Sequence, residues 1–195
     1  MGEVGELYDS AAHLIGFDER DWDVLEQEAE VITAWIPEIV DEFYDTLYGL
    51  DVTARIFQEG ERAQVERTLE HWIVSLVSGK KDVSFWNHQW VVALRHVQRG
   101  VNNLYMLTMM NRVQQCIVTR CLKHYDRERA AQVINAFLRL SGTVGALIAE
   151  CYTDLLEEIT EEGVSRVGMN PALLQRIKAS QIRKTIEAYQ KTTTA

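Results

Sequence analysis

Proline is nearly missing from this chain of 195 residues, with two in all, and cysteine is scarce, with three. Cys116, Cys121 and Cys151 are an odd set without close pairing, which excludes a disulfide-stapled scaffold and fits buried thiols in a reducing compartment. Short alternating runs bounded by Asn-Gly or Asp-Gly are absent, so nothing reads as a strand or hairpin. Positive charge is in deficit: 20 Lys and Arg stand against 29 Asp and Glu, a net charge of −9. That balance argues against a general nucleic-acid binder, which needs a basic face for phosphates. No uninterrupted apolar run reaches the ~18 residues of a transmembrane helix, so no membrane insertion is expected. The opening MGEVGELYDS lacks the basic-then-apolar order of a secretory signal, and Glu6 stands where N-myristoylation wants Ser or Thr. A cytoplasmic location is the expectation.

What is present is helical periodicity. Hydrophobic residues make up 47% of the chain, enough for a sizeable core. The pattern predicts helices over about 19–34, with Asp18 as N-cap, and 37–48, with Pro37 in its first turn. A short element follows near 54–57, then helices over about 62–78, 83–98, 101–124 and 127–161. The last of these carries a wide apolar stripe with small residues at Ser141, Gly142, Gly145, Ala146 and Ala149, which suits either core burial or a dimer seam. After Gly163, Asn170-Pro171 opens one more helix to about Gln190. Residues 164–195 hold six basic side chains against Glu187 alone, a charge asymmetry that fits a solvated helix or a contact tail. The expected division is an N-terminal extension over 1–17, a main domain over 18–162 and a basic helical tail over 163–195.

Most chemistries lack their parts. Zinc wants several Cys and His at close spacing, and Cys121 with His124 has no second pair. No histidine has Glu three residues before it, as helical di-iron sites require. Nucleophile elbows and phosphate-cradling glycine loops are missing, so no hydrolase assembles and no enzyme is expected. Among five histidines, His13, His71, His88 and His124 have polar surroundings and read as solvent-facing. His96 differs. It shares a mostly apolar helical face with Phe85, Gln89 and Val92, one turn before Gly100. It is either a core histidine satisfied by a nearby carbonyl or the single protein ligand that haem iron needs.

A haem pocket also needs a far wall. Tyr44 and Thr68 sit on inward stripes of two other helices and offer hydroxyl donors. Each also reads as ordinary structure, Tyr44 as a core tyrosine bonded to a carbonyl and Thr68 as a helix-surface threonine. Phe43, Phe57, Val65, Leu69, Trp72 and Val92 supply apolar walls, although aromatic stripes are usually core.

Three stretches taken together resemble the sensor globins, that is, the protoglobins and the haem domains of globin-coupled sensors. FYDTLYGL at 43–50 is similar to their second helix, VERTLEHWIVSLVSGKKD at 65–82 to their distal helix, and WVVALRHVQRGVNNLY at 90–105 to their proximal segment. The resemblance places the axial histidine on His96, the distal tyrosine and threonine on Tyr44 and Thr68, an apolar neighbour on Val65, and a following glycine and tyrosine on Gly100 and Tyr105. Asn102-Asn103 stands where the family often has proline. The resemblance implies an all-α globin fold of sensor-globin type, without a D helix and with an added N-terminal segment. It further implies haem b, reversible binding of oxygen, carbon monoxide or nitric oxide, a homodimer through the last two globin helices, and a downstream signalling partner. A haemless globin-like dimeric interaction module is the alternative. A nitric oxide dioxygenase or peroxidase reading lacks a reductase domain and a distal Arg-His pair.

Overall fold

The computed structural model describes residues 2–78, 82–166 and 180. Residues 1–152 form one compact unit and residues 153–195 a second. All regular structure among the described residues is helical: α1 (Gly2–Ile15), α2 (Glu19–Gln27), α3 (Ala29–Tyr48), α4 (Asp51–Ala54), α5 (Arg62–Ser78), α6 (Val83–Gln98), α7 (Asn103–His124) and α8 (Arg127–Arg166). The expected helix over 171–190 lies outside the described residues.

The chain ends its helices where local chemistry supplies caps. Asp18 accepts from the Arg20 amide at 2.9 Å, and the Asp21 carboxylate reaches back to the Asp18 amide at 3.1 Å, closing a capping box at the start of α2. Asp82 caps α6 through the amides of Ser84 and Phe85. The end of α6 is a Schellman turn: Gly100 has φ +73°, its amide bonds the Val97 carbonyl at 2.9 Å, and the Val101 amide bonds the His96 carbonyl at 3.0 Å. Asn102 then accepts from the Tyr105 amide and opens α7, doing the work left undone by the missing proline.

Two expectations are corrected, and the expected N-terminal extension is seen to carry a helix. The N-terminal extension contains the helix α1, which packs on α6 through Tyr8 and Trp86, their ring centroids 4.1 Å apart. The break expected between residues 34 and 37 falls at Glu28 instead, and Pro37 lies inside α3. The cause lies at both places. Ile32, Ile36, Ile39, Val40 and Tyr44 form one buried stripe running past Pro37, which offsets the ~3 kcal/mol cost of an interior proline. Glu28 is held at the corner between α7 and α8, accepting from the Tyr125 hydroxyl and from Arg129 Nε, each at 2.7 Å. The short element near 54–57 is α4, one turn earlier, where the buried Thr53 hydroxyl donates to the Leu47 carbonyl at 2.6 Å.

The core is built from α3, α5, α6, α7 and the first half of α8. Ile39, Ile73, Leu76, Ala93, Ile117 and Leu140 are wholly buried. The stretch Arg127–Leu155 is long and apolar enough to cross a membrane, yet 56% of its most apolar window is buried inside the fold, as in the core helix of a helical bundle. An aromatic cluster of Phe17, Trp22, Phe85 and Trp86 locks α2 and the N-terminal half of α6 together.

The Glu28 corner has a pH signature. Burial alone raises a carboxylate's pKa, but hydrogen bonds from Tyr125 and Arg129 outweigh it and hold Glu28 below its ordinary 4.5. The stabilisation is therefore present above that value and lost as pH falls through the lower folded one. Tyr125→Phe is expected to cost about 1.5 kcal/mol near neutrality. The gap from wild type should narrow in acid, as read by denaturant unfolding at about pH 7 and about pH 3.

Candidate functional site

His96 sits in the last turn of α6, part-buried. Its Nδ1 lies 2.7 Å from the Val92 carbonyl oxygen. A carbonyl only accepts, so Nδ1 carries the proton and donates, which leaves Nε2 with its lone pair. Burial pushes the imidazole pKa below its ordinary value against the upward pull of that hydrogen bond, and nearby Arg99 adds to the depression. The ring is thus a neutral imidazole with one nitrogen oriented by the backbone and the other available to a metal, the arrangement typical of a ligating histidine.

Behind His96 the helix is tied to α5. Gln89 is wholly buried; its Oε1 accepts from Trp72 Nε1 at 2.9 Å and its Nε2 donates to the Phe85 carbonyl at 3.4 Å. This pair fixes the spacing of the two helices that flank the space in front of His96. That space is a cavity of about 550 Å³, within the range of small-molecule sites. All ten residues singled out from sequence line it: Phe43 and Tyr44 from α3, Phe57 from the loop after α4, Val65, Thr68, Leu69 and Trp72 from α5, Val92 and His96 from α6, and Tyr105 from α7.

The remaining wall went unread in the sequence. Met106, Met109, Met110 and Val113 form an i, i+3, i+4, i+7 ridge of α7, a spacing that flags them as an inward face. Ile148 of α8 also contributes. His71, His88 and Arg95 line the cavity while staying solvent-exposed, so two histidines expected to face only water sit at its margin. His88, Val92 and Arg95 share the i, i+4, i+7 spacing on α6, which was the available signal.

The two hydroxyls of the far wall are engaged with backbone. The Tyr44 hydroxyl donates to the Val65 carbonyl at 2.9 Å, and Thr68 Oγ1 donates to the Gln64 carbonyl at 3.0 Å. Both are the ordinary structural contacts that the sequence allowed as alternatives. Burial pushes the Tyr44 phenol pKa well up, so it stays a neutral donor. Its ring packs against Phe43 and Phe57, with centroids 5.1 and 5.8 Å away.

A second concavity, about 540 Å³ between α3 and α7, has a different character. Arg120 bridges Glu38 and Glu42, and Cys116 Sγ donates to Glu42 at 3.2 Å, so these four side chains satisfy one another. Burial and that carboxylate push the Cys116 thiol pKa up, so it remains protonated and unreactive. Among the described residues no three His, Cys, Asp or Glu side chains converge as a metal cage. A metal bound here would have to bring its own further ligands, as haem iron does.

Comparison with known proteins agrees with this arrangement. The globin domain of the Geobacter sulfurreducens globin-coupled sensor superposes with a TM-score of 0.69 at 23% identity, covering 74% of this chain and 96% of that one. The globin domain of E. coli DosC, in a ferric crystal form, superposes with a TM-score of 0.59 at 16% identity, covering 74% and 98%. Both likenesses speak to the fold. An uncharacterized protein of Methanocaldococcus jannaschii, MJ1356, is 22% identical over 116 residues, which span 58% of this chain and 61% of that protein. The protoglobin family model matches residues 6–158. With the match running from α1 through most of α8 and enclosing the whole His96 cavity, the chain belongs to the protoglobin family.

Proposed function

We propose that this chain is a haem-binding globin that senses a diatomic gas. The observation that carries the reading is His96: a neutral imidazole with Nδ1 spent on the Val92 carbonyl, beside an apolar cavity of small-molecule size. The residues present fit haem b. His96 Nε2 would hold the iron, and Val92, Trp72, Leu69, Phe43 and Phe57 would give a flat apolar ligand its walls. When bound, the iron supplies the position at which oxygen, carbon monoxide or nitric oxide binds reversibly.

The chain's own residues do the rest. Tyr44 and Thr68 hold hydroxyl protons on the cavity wall, and turning one from its backbone carbonyl toward a polar gas exchanges one hydrogen bond for another. A bond to a gas that carries partial negative charge exceeds the neutral bond given up by about 1 kcal/mol, roughly fivefold in retention. Nothing in this scheme needs a chemical step by the protein, and the reading is of a binding module rather than an enzyme.

Sensing requires that a displacement of His96 be felt elsewhere. The His96 carbonyl accepts from the Val101 amide at 3.0 Å, and the Val101 carbonyl accepts from the Tyr152 hydroxyl of α8 at 2.9 Å. Two hydrogen bonds therefore join the axial residue to α8. Leu107 and Leu122 of α7 and Leu138 of α8 are exposed, which supports a homodimer through these two helices that reads the movement and passes it to a signalling partner.

Two experiments test the reading. His96→Gly should keep its helical circular dichroism yet fail to bind haem at one-to-one stoichiometry, with binding restored by free imidazole; undiminished haem uptake by this variant contradicts it. Carbon monoxide should alter hydrogen exchange over residues 140–152 in the haem-loaded wild type. Tyr152→Phe should bind haem normally and lose most of that response, whereas an unchanged response sets the Tyr152 link aside.

A further inference from the structure

The cavity wall has a one-sided charge. Acidic residues outnumber basic ones in the chain, 29 to 20, yet among the described residues no Asp or Glu lines this cavity. The basic side chains that do line it, apart from His96, are His71, His88, Arg95 and Arg99. Arg99 is committed elsewhere: its guanidinium pairs with Glu61, whose other carboxylate oxygen accepts from the Gln58 amide at 2.9 Å. Arg95 makes no ion pair among the described residues.

His71, His88 and Arg95 come from α5 and α6, the two helices joined by the Trp72–Gln89 hydrogen bond. His71 is on α5, one turn before Ser75, which also lines the cavity. His88 and Arg95 are on α6, with Val92 between them at helical spacing, and Arg95 directly precedes His96. All three are exposed while lining an otherwise apolar space. His71 Nδ1 donates to the Arg67 carbonyl at 2.6 Å, which leaves Nε2 outside that bond. A cavity with apolar walls, basic side chains in its lining and no carboxylate among the described lining residues suits a ligand with an apolar body and an anionic edge. A cationic ligand would be repelled by Arg95.

Resting on the haem reading above, we propose that His71, His88 and Arg95 form a carboxylate-binding edge that takes the two propionate groups of the porphyrin. Arg95 offers a planar fork matched to a carboxylate, with the His71 and His88 rings as further nitrogen partners. The edge orients the macrocycle by giving its charged groups partners that the apolar wall residues do not offer.

The test compares two porphyrins in the same protein. Wild type and the His71→Gln, His88→Gln, Arg95→Gln triple variant are each loaded with ferric protoporphyrin IX or with its dimethyl ester, which lacks free carboxylates. Loss to excess apomyoglobin is followed by absorbance. Thermal unfolding of the apoproteins checks that the exposed substitutions leave the fold intact, and Arg95→Gln alone serves if the triple variant does not fold. The expected result is loss of the free-acid porphyrin about tenfold faster in the triple variant, with the ester lost at equal rates from both proteins. Equal rates for the free acid, or the same acceleration for both porphyrins, would overturn the proposal. A wild type that takes up neither porphyrin would instead defeat the haem reading on which the proposal rests.

Discussion

The hydrogen bond from His96 Nδ1 to the Val92 carbonyl is the contact on which the site depends. It selects one tautomer, fixes the ring against its own helix and directs the remaining lone pair at Nε2. Without it, a part-buried imidazole at a helix end has no reason to offer a nitrogen to a ligand rather than bury it. The bond needs α6 to stay helical through residue 96 and then stop. Gly100, at φ +73°, provides the stop, and the Schellman turn binds the His96 and Val97 carbonyls that the ending helix would otherwise leave unpaired.

Around that contact the fold acts as a spacer. The buried Trp72–Gln89 hydrogen bond sets α5 against α6, the aromatic cluster around Trp86 anchors the far end of α6, and the Tyr152 hydroxyl pins the turn after His96 to α8. A cavity survives between them because its walls come from helices already braced elsewhere. Val65, Leu69 and Val92 are only part-buried, whereas Ile73, Leu76 and Ala93, which carry the packing, are wholly buried. Stability and site thus draw on different faces of the same helices.

Much of this was legible in the sequence. Periodicity located α5 and α6 to the residue, and the contrast between His96 and its polar-flanked counterparts singled out the histidine that lines the cavity part-buried, where His71 and His88 line it exposed. The failures have physical causes. Pro37 looked like a helix start because its propensity is local, while the buried stripe that carries α3 through it is tertiary. Glu28 gave no break signal because its partners, Tyr125 and Arg129, lie about a hundred residues away in sequence. The N-terminal helix α1 depends on Tyr8 meeting Trp86, again a distant contact. His71 and His88 were read by their neighbours along the chain, although α5 and α6 bring both to the lining of one cavity. The Tyr44 and Thr68 hydroxyls each had two readings in sequence, and the backbone carbonyls beside them decide which contact is made.

The most direct measurement is a titration of the purified chain with ferric haem, followed by reduction and exposure to carbon monoxide, monitored by absorption. The account predicts saturation at one haem per chain, a Soret band characteristic of histidine-bound iron, and a clear shift of that band with carbon monoxide. Haem uptake that fails to saturate, or a band indifferent to carbon monoxide, would contradict it and return the His96 cavity to the role of a structural feature in a haemless protoglobin-fold module.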